Sequence, residues 1–198
     1  MRRKSQIAIE CAYRYSKMNP DRWVFWVYAA SEERFVQSYF DIGVHVGMFR
    51  PGESSSNTVE AVSQWLSNPE NGAWLMIVDN ADDYEVLFHA TVGQRPLADR
   101  IPQCVHGAVL ITSRTQTGVD IAMEPENEIH VRAFDEATSL QLLGKKLGKK
   151  LDNQDEAKEL ASELEHIALA LTQAARYIFS TKQSIADYLR LFREEEQR

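Results

Sequence analysis

The sequence predicts an α/β protein, with a three-layer domain built on a parallel sheet and followed by a small helical lobe. Short runs of aromatic and β-branched residues, typical of buried strands, alternate with segments of helical periodicity in the first part of the chain. After Phe134 the periodicity is helical throughout. We therefore expect a first domain over residues 1–133 and a helical lobe over residues 134–198.

The first domain is predicted to begin with a helix over residues 4–18. Ile7, Cys11 and Tyr15 recur there at i, i+4 and i+8, with Ala8 and Ala12 beside them, and so form one apolar stripe. The helix should end before Pro20, because a residue that precedes proline avoids helical angles. The elements predicted after it are strand 22–30, helix 31–46, helix 58–68, a strand within 73–83, a short helix near 84–89, strand 107–114 and a shorter strand over 127–134.

The helical lobe is predicted from segments that are rich in helix-forming residues. Asp135, Asn153 and Ser184 stand where such helices would start, and a short polar side chain at that position caps free backbone N–H groups. The predicted helices cover residues 135–148, 153–166, 167–180 and 184–197.

Composition limits the class of function. The formal net charge of −7 argues against a dominant nucleic-acid-binding surface. No apolar run is long enough to cross a membrane, and the basic start lacks the apolar region of a secretory signal. The two cysteines, Cys11 and Cys104, form neither a metal-binding spacing nor a disulfide framework. We expect a cytoplasmic protein that binds neither nucleic acid nor membranes.

Three polar motifs fall at the ends of predicted strands or helices and together predict a phosphate site. Lys4 and Ser5 open the first helix, Asp79 ends one predicted strand, and Arg114 ends another. In a phosphate-binding-loop NTPase the lysine binds the β- and γ-phosphates, and the neighbouring hydroxyl and the acid hold Mg²⁺. An arginine at the next strand end pairs well with the γ-phosphate oxygens. Open α/β sheets bind ligands at this edge, outside the carboxyl ends of their strands.

The segments that carry these motifs resemble the NB-ARC domain in the STAND class of P-loop NTPases, particularly its fungal NLR-like type. The resemblance runs from residue 4 to residue 192 and rests on KSQIAIECAYRY, VFWVYAASEERFVQSYFDIG, WLMIVDNADD, GAVLITSR and ELEHIALALTQAARYI. It implies adenine-nucleotide binding, with ADP in the resting state and ATP in the active state, used as a conformational switch. The implied partners are other domains or proteins of a signalling assembly.

The resemblance also implies the site residues. The nucleotide would be bound through Lys4, Ser5, Asp79, Arg114 and Ala168, and Mg²⁺ would be held by Ser5 and Asp79. Ala168 stands where the family has a proline that packs on the adenine.

The sequence departs from the family pattern at the start of the phosphate loop. Arg3 precedes Lys4 where the family has glycine, and no strand comes before it. We therefore expect the first strand of the family fold to be missing, in a truncated product or a degenerate relative. Asn80 stands where many members carry a second acid, so any ATPase activity is expected to be slow at most. The alternative function is a scaffold or interaction module that keeps the fold without binding nucleotide.

Three of the charged residues also have simpler structural explanations. Asp82 and Asp83 could acidify and cap the helix that follows them, and this is the role that we expect for both. Arg114 could instead form an ordinary ion pair at the end of its strand.

Overall fold

In the structure, a computed structural model, the chain forms two compact units. One contains Lys4–Ile129 and is called the sheet unit, and the other contains His130–Arg198 and is called the helical unit. The described residues of the structure are 3–52, 57–89, 95–115, 127–148 and 153–196. The elements of the sheet unit are α1 (Arg3–Met18), β1 (Trp23–Tyr28), α2 (Glu32–His45), α3 (Thr58–Ser67), β2 (Trp74–Asp79), α4 (Tyr84–Phe88) and β3 (Gly107–Ile111), with 3₁₀ turns at Pro69–Asn71 and Ala98–Arg100.

Within the described residues, the strands form a three-stranded parallel sheet with β2 in the centre, which confirms the predicted α/β class. Tyr28 of β1 pairs with Asp79 of β2, and Ile111 of β3 pairs with Val78. All six residues of β2 are buried, as expected for a parallel strand covered on both faces. Because the strands run in one direction, their carboxyl ends lie together at one side of the sheet, which we call the carboxyl edge.

Helices lie on both faces of the sheet. Phe35 of α2 shares a buried cluster with Phe25 of β1 and Val78 of β2. Alternate residues of a strand face opposite sides, so Asp79 belongs to the other face. Ser5 of α1 contacts the Asp79 side chain, which places the start of α1 on that second face.

The opposite end of the sheet is fixed by a close contact between Trp74 and Gly107. The indole N–H of Trp74 donates to the carbonyl of Leu66, the penultimate residue of α3, at 2.8 Å. The ring of Trp74 occupies the space beside Gly107, where an added Cβ would lie only 2.2 Å from a ring carbon. Glycine is therefore required at the start of β3 for this indole to pack.

The helical unit contains the helices that the sequence predicts after Phe134. Their described bounds are α5 (Glu136–Leu147), α6 (Gln154–Glu163), α7 (Ala168–Thr181) and α8 (Ile185–Glu196). Their core is built from buried leucine, isoleucine and alanine side chains, among them Leu143, Leu160, Leu171, Ala174 and Ile178. Among the described residues, every helix falls short of the length and hydropathy needed to cross a bilayer.

The three predicted caps of the helical unit are confirmed. Asp135 accepts a hydrogen bond from the backbone N–H of Thr138 (2.7 Å), and Asn153 and Ser184 accept equivalent bonds at the starts of α6 and α8. Hydrogen bonds from the side chain and backbone of Thr138 hold the pKa of Asp135 below its ordinary value. The carboxylate therefore stays ionised at the positive end of the helix dipole.

The prediction of a strand over residues 127–134 was wrong. The structure has no strand in this segment, and Ile129 is 81% exposed. The alternating apolar residues suggested a half-buried strand, but the segment spans the junction of the two units and buries no apolar face. A period of two predicts a strand only where one face has something to pack against.

The predicted apolar stripe of the first helix was also wrong in part. Ile7 is 52% exposed and Cys11 is exposed, whereas Ala8 is fully buried. The buried side of α1 is therefore the side of Ala8, not that of Ile7 and Cys11.

Candidate functional site

The carboxyl edge of the sheet brings together residues from α1, β2 and the turn after β3. Asp79 is the last residue of β2, and Thr112 directly follows β3. Ser5 reaches the same place from the first turn of α1. The site therefore forms from segments far apart in sequence, and the parallel register of the strands sets its geometry.

Asp79 is the centre of the group, with a side chain that is buried at the edge of the sheet. Its Oδ1 accepts a hydrogen bond from Thr112 Oγ1 at 2.5 Å and another from Ser5 Oγ at 2.8 Å. Among the described residues, no donor is found for the other oxygen, Oδ2. The residue as a whole is 8% exposed. One carboxylate oxygen is thus fixed by the protein, and the second is available to a ligand.

Thr112 joins the turn after β2 to the turn after β3. Its Oγ1 accepts from the backbone N–H of Asn80 at 3.0 Å while donating to Asp79, and its carbonyl accepts from Ala81 N–H at 2.9 Å. Asn80 adopts a left-handed conformation with φ of 64°, which asparagine tolerates better than most residues. Thr112 is a residue of this site that the sequence analysis did not identify. Its position immediately after an apolar strand was the signal available.

Arg114 is held by Asp82. The backbone N–H of Arg114 donates to Asp82 Oδ1 at 2.6 Å, and its Nε donates to Oδ2 at 2.5 Å. Asp82 therefore pairs with Arg114 and does not cap the next helix. Asp83 does cap α4, because it accepts a hydrogen bond from Glu85 N–H at 2.9 Å. The ion pair matches the simpler explanation for Arg114, and it also places Arg114 beside the carboxyl edge.

Lys4 lies next to Ser5 in the first turn of α1 and is partly exposed. Within the described ranges, no ion pair of its ammonium group is found. A helix start offers free backbone N–H groups and a positive dipole end, so a cation there adds to the attraction for an anion.

Ala168 is the first residue of α7 in the helical unit, and its carbonyl accepts from Thr172 Oγ1 at 2.7 Å. The hydrogen bonds at the carboxyl edge thus join Ser5, Asp79 and Thr112, and the bonds of Asp82 hold Arg114 beside them. Ala168 takes part in none of these bonds.

The chemistry of the donor set suits a hard cation. Two hydroxyls and one carboxylate converge at Asp79, and oxygen ligands are those that Mg²⁺ prefers. No cluster of three or more histidine, cysteine or acidic residues that could form a metal cage occurs in the described part of the chain. Mg²⁺ keeps several waters and commonly binds through one or two carboxylates together with phosphate oxygens, so a single carboxylate fits this ion.

Comparison with known proteins gives one relative of interest. The chain is 30% identical over 197 residues to a nucleotide-binding leucine-rich repeat (NLR)-like protein of the fungus Hyaloscypha variabilis. The match covers 96% of this chain and 20% of the relative, so the chain spans about a fifth of the relative's length. No family model matches the chain. The comparison supports an NLR-like relationship.

Proposed function

We propose that this chain binds adenine nucleotide with Mg²⁺ at the carboxyl edge, as a regulatory switch of the NB-ARC type. The observation that carries the proposal is the 2.8 Å hydrogen bond from Ser5 Oγ to Asp79 Oδ1. It joins the two residues that the sequence assigned to Mg²⁺, although they are 74 positions apart. The name of the relative, a nucleotide-binding leucine-rich repeat (NLR)-like protein, supports the same proposal.

Each residue has a distinct part in the proposed site. Lys4 neutralises phosphate charge from the start of α1, and Ser5 and Asp79 direct oxygen ligands toward Mg²⁺. Mg²⁺, when bound, neutralises phosphate charge and links the phosphate oxygens to the protein. Arg114 contacts the γ-phosphate, so ATP and ADP differ at that residue. Ala168 is proposed to contact the adenine from the helical unit.

Switching follows from a difference in affinity. A nucleotide that binds two conformations unequally shifts their populations by that difference. ADP would favour the resting state, and ATP, through Arg114, the active state. We propose that the two units change their arrangement in a cytoplasmic signalling assembly, and that other domains or proteins of the assembly detect the change.

Hydrolysis is proposed to be slow at most. Asn80 lies next to Asp79, and its amide can hydrogen-bond a water but cannot accept the water's proton. Its backbone is held in the left-handed conformation by the bond to Thr112, which limits how it can reorient. A switch needs retention of the nucleotide more than turnover, so slow hydrolysis is consistent with the proposal.

A scaffold function is the second candidate, and one observation favours it. The hydrogen bonds of Ser5 and Thr112 to Asp79 form a closed network that holds the edge of the sheet without any ligand. Arg3 in place of glycine before Lys4 also removes the backbone freedom that a phosphate-wrapping loop uses. In this alternative, the polar residues at the edge stabilise the fold for a protein partner.

Calorimetric titration with ADP, with and without Mg²⁺, tests the proposal. We expect wild-type protein to bind with Mg²⁺, and Lys4→Ala to weaken binding by about tenfold or more, because a hydrogen bond to a charged group contributes about 1.5–3 kcal/mol. Lys17→Ala, which removes an exposed lysine from the last turn of the same helix, is the matched control and should leave affinity unchanged. Absence of binding by folded wild-type protein would favour the scaffold function.

A further inference from the structure

Asp82 makes a set of contacts that the proposed site does not explain. It lies three positions after Asp79, and its side chain is 13% exposed. Its two carboxylate oxygens accept from the backbone N–H and from Nε of Arg114, and its carbonyl accepts from Thr115 Oγ1 at 3.1 Å. One residue thus fixes both the backbone and the side chain of the proposed γ-phosphate contact.

The backbone turns after β2 and β3 bring Asp82 close to Arg114. The left-handed turn at Asn80 and the bond from Ala81 N–H to the carbonyl of Thr112 hold the chain after β2 against the chain after β3. The next residue, Asp82, then faces Arg114 across a short distance. This contact between the two turns depends on Thr112, so the residue that holds the Asp79 side chain also sets the position of Asp82.

The pairing leaves one edge of the Arg114 guanidinium available. Asp82 binds Nε, and within the described ranges no partner is found for the two terminal nitrogens, Nη1 and Nη2. The Arg114 side chain is 50% exposed. A guanidinium carries five N–H donors in a rigid fork, so it can bind a carboxylate through Nε and a phosphate through its terminal nitrogens at the same time.

We propose that Asp82 is the positioning residue that makes this site prefer a nucleoside triphosphate over a diphosphate. It does so by holding Arg114 in the orientation that presents Nη1 and Nη2 to the terminal phosphate. The proposal rests on the proposed function, because it requires a nucleotide at the carboxyl edge. Holding the long side chain in place before binding removes an entropy cost that only the triphosphate would otherwise incur.

A double-mutant cycle in binding tests this proposal. Dissociation constants for ATP and ADP, each with Mg²⁺, are measured for wild type, Asp82→Ala, Arg114→Ala and the double variant. Asp82→Ala should weaken ATP binding by about tenfold, the scale of one charge-assisted contact, and change ADP binding by less than about twofold. In the Arg114→Ala background, adding Asp82→Ala should have no further effect on ATP affinity, because Asp82 acts through Arg114.

Two further variants separate positioning from folding. Asp82→Asn can still accept from the Arg114 backbone N–H but cannot accept from Nε in the same geometry. It should recover the melting temperature lost in Asp82→Ala while keeping the loss of ATP preference. Asp83→Ala is the matched control, because Asp83 caps α4 without contacting Arg114; it should leave the ATP-to-ADP affinity ratio unchanged.

The following results would overturn the proposal. Equal loss of ATP and ADP affinity in Asp82→Ala would show a structural role alone. A gain of ATP affinity would show that the ion pair restrains Arg114 rather than presenting it. If wild type binds neither nucleotide, the proposed function fails together with this inference. If wild type binds and Asp82→Ala leaves the ATP-to-ADP affinity ratio unchanged, the inference alone fails.

Discussion

Thr112 shows how much of this site depends on one hydroxyl. Its Oγ1 donates to Asp79 and accepts from the N–H of Asn80, and both partners lie at the end of the central strand. Thr112 itself is only 7% exposed, so water offers little replacement for either bond. Removal of the hydroxyl alone would leave the Asn80 N–H without its partner and Asp79 Oδ1 with only the bond from Ser5.

We predict that Thr112→Val destabilises the protein by about 1–3 kcal/mol, the cost of leaving buried polar groups unpaired. Valine keeps the branched shape, so packing is conserved and the change reports the lost hydrogen bonds. Urea unfolding at equilibrium measures the difference. Thr181→Val, at an exposed position near the end of α7, is the control and should change stability by less than about 0.5 kcal/mol. Equal effects in both variants would contradict the network.

Residue types at the site could be predicted from the sequence, but their partners could not. Ser5 and Asp79 lie together at the carboxyl edge. Their positions at a helix start and a strand end could be predicted because apolar patterns show where strands end and helices begin. The pairing of Asp82 with Arg114 depends on the left-handed turn at Asn80. A single backbone angle of that kind leaves no periodic signal, so side chains just beyond a strand end are the least predictable part.

At the scale of elements, a predicted strand or helix is found in the structure where its segment has something to pack against. β2 is buried along its whole length and its apolar run predicts it, whereas helical periodicity and helix-forming residues predict the helices of the helical unit. The segment over 127–134 shows the same alternation as a strand but buries no face, with Ile129 81% exposed. Local pattern therefore identifies an element only when the tertiary structure supplies a surface to cover it.

The contact between β3 and the Trp74 indole gives a test at this scale. Gly107→Ala should destabilise the protein by about 1–3 kcal/mol, because an added methyl group must displace a buried ring. The Cβ would lie 2.2 Å from a ring carbon of Trp74. Ala108→Val enlarges the neighbouring, exposed residue of the same strand and should change stability by less than about 0.5 kcal/mol. Thermal unfolding of both variants provides the comparison, and a tolerated Gly107→Ala would contradict the packing described.

At the scale of the whole molecule, the chain combines a sheet unit that carries the candidate site with a helical unit that has its own core. The predicted parallel sheet and the helical lobe are both present, and the relative from Hyaloscypha variabilis supports an NLR-like relationship over 96% of the chain. The proposed switch, the proposed phosphate contact of Arg114 and the proposed positioning role of Asp82 all depend on nucleotide binding.

A thermal-shift titration with ADP and Mg²⁺ tests this property most directly. At about a hundred times the dissociation constant, a ligand that binds only the folded state adds about 2.7 kcal/mol to stability. For a domain of this size, the melting temperature should rise by roughly 5–10 °C. We predict a rise of this order in wild type and its loss in Lys4→Ala. A cooperative melt that does not move at millimolar ADP would contradict nucleotide binding at the carboxyl edge and leave the scaffold function.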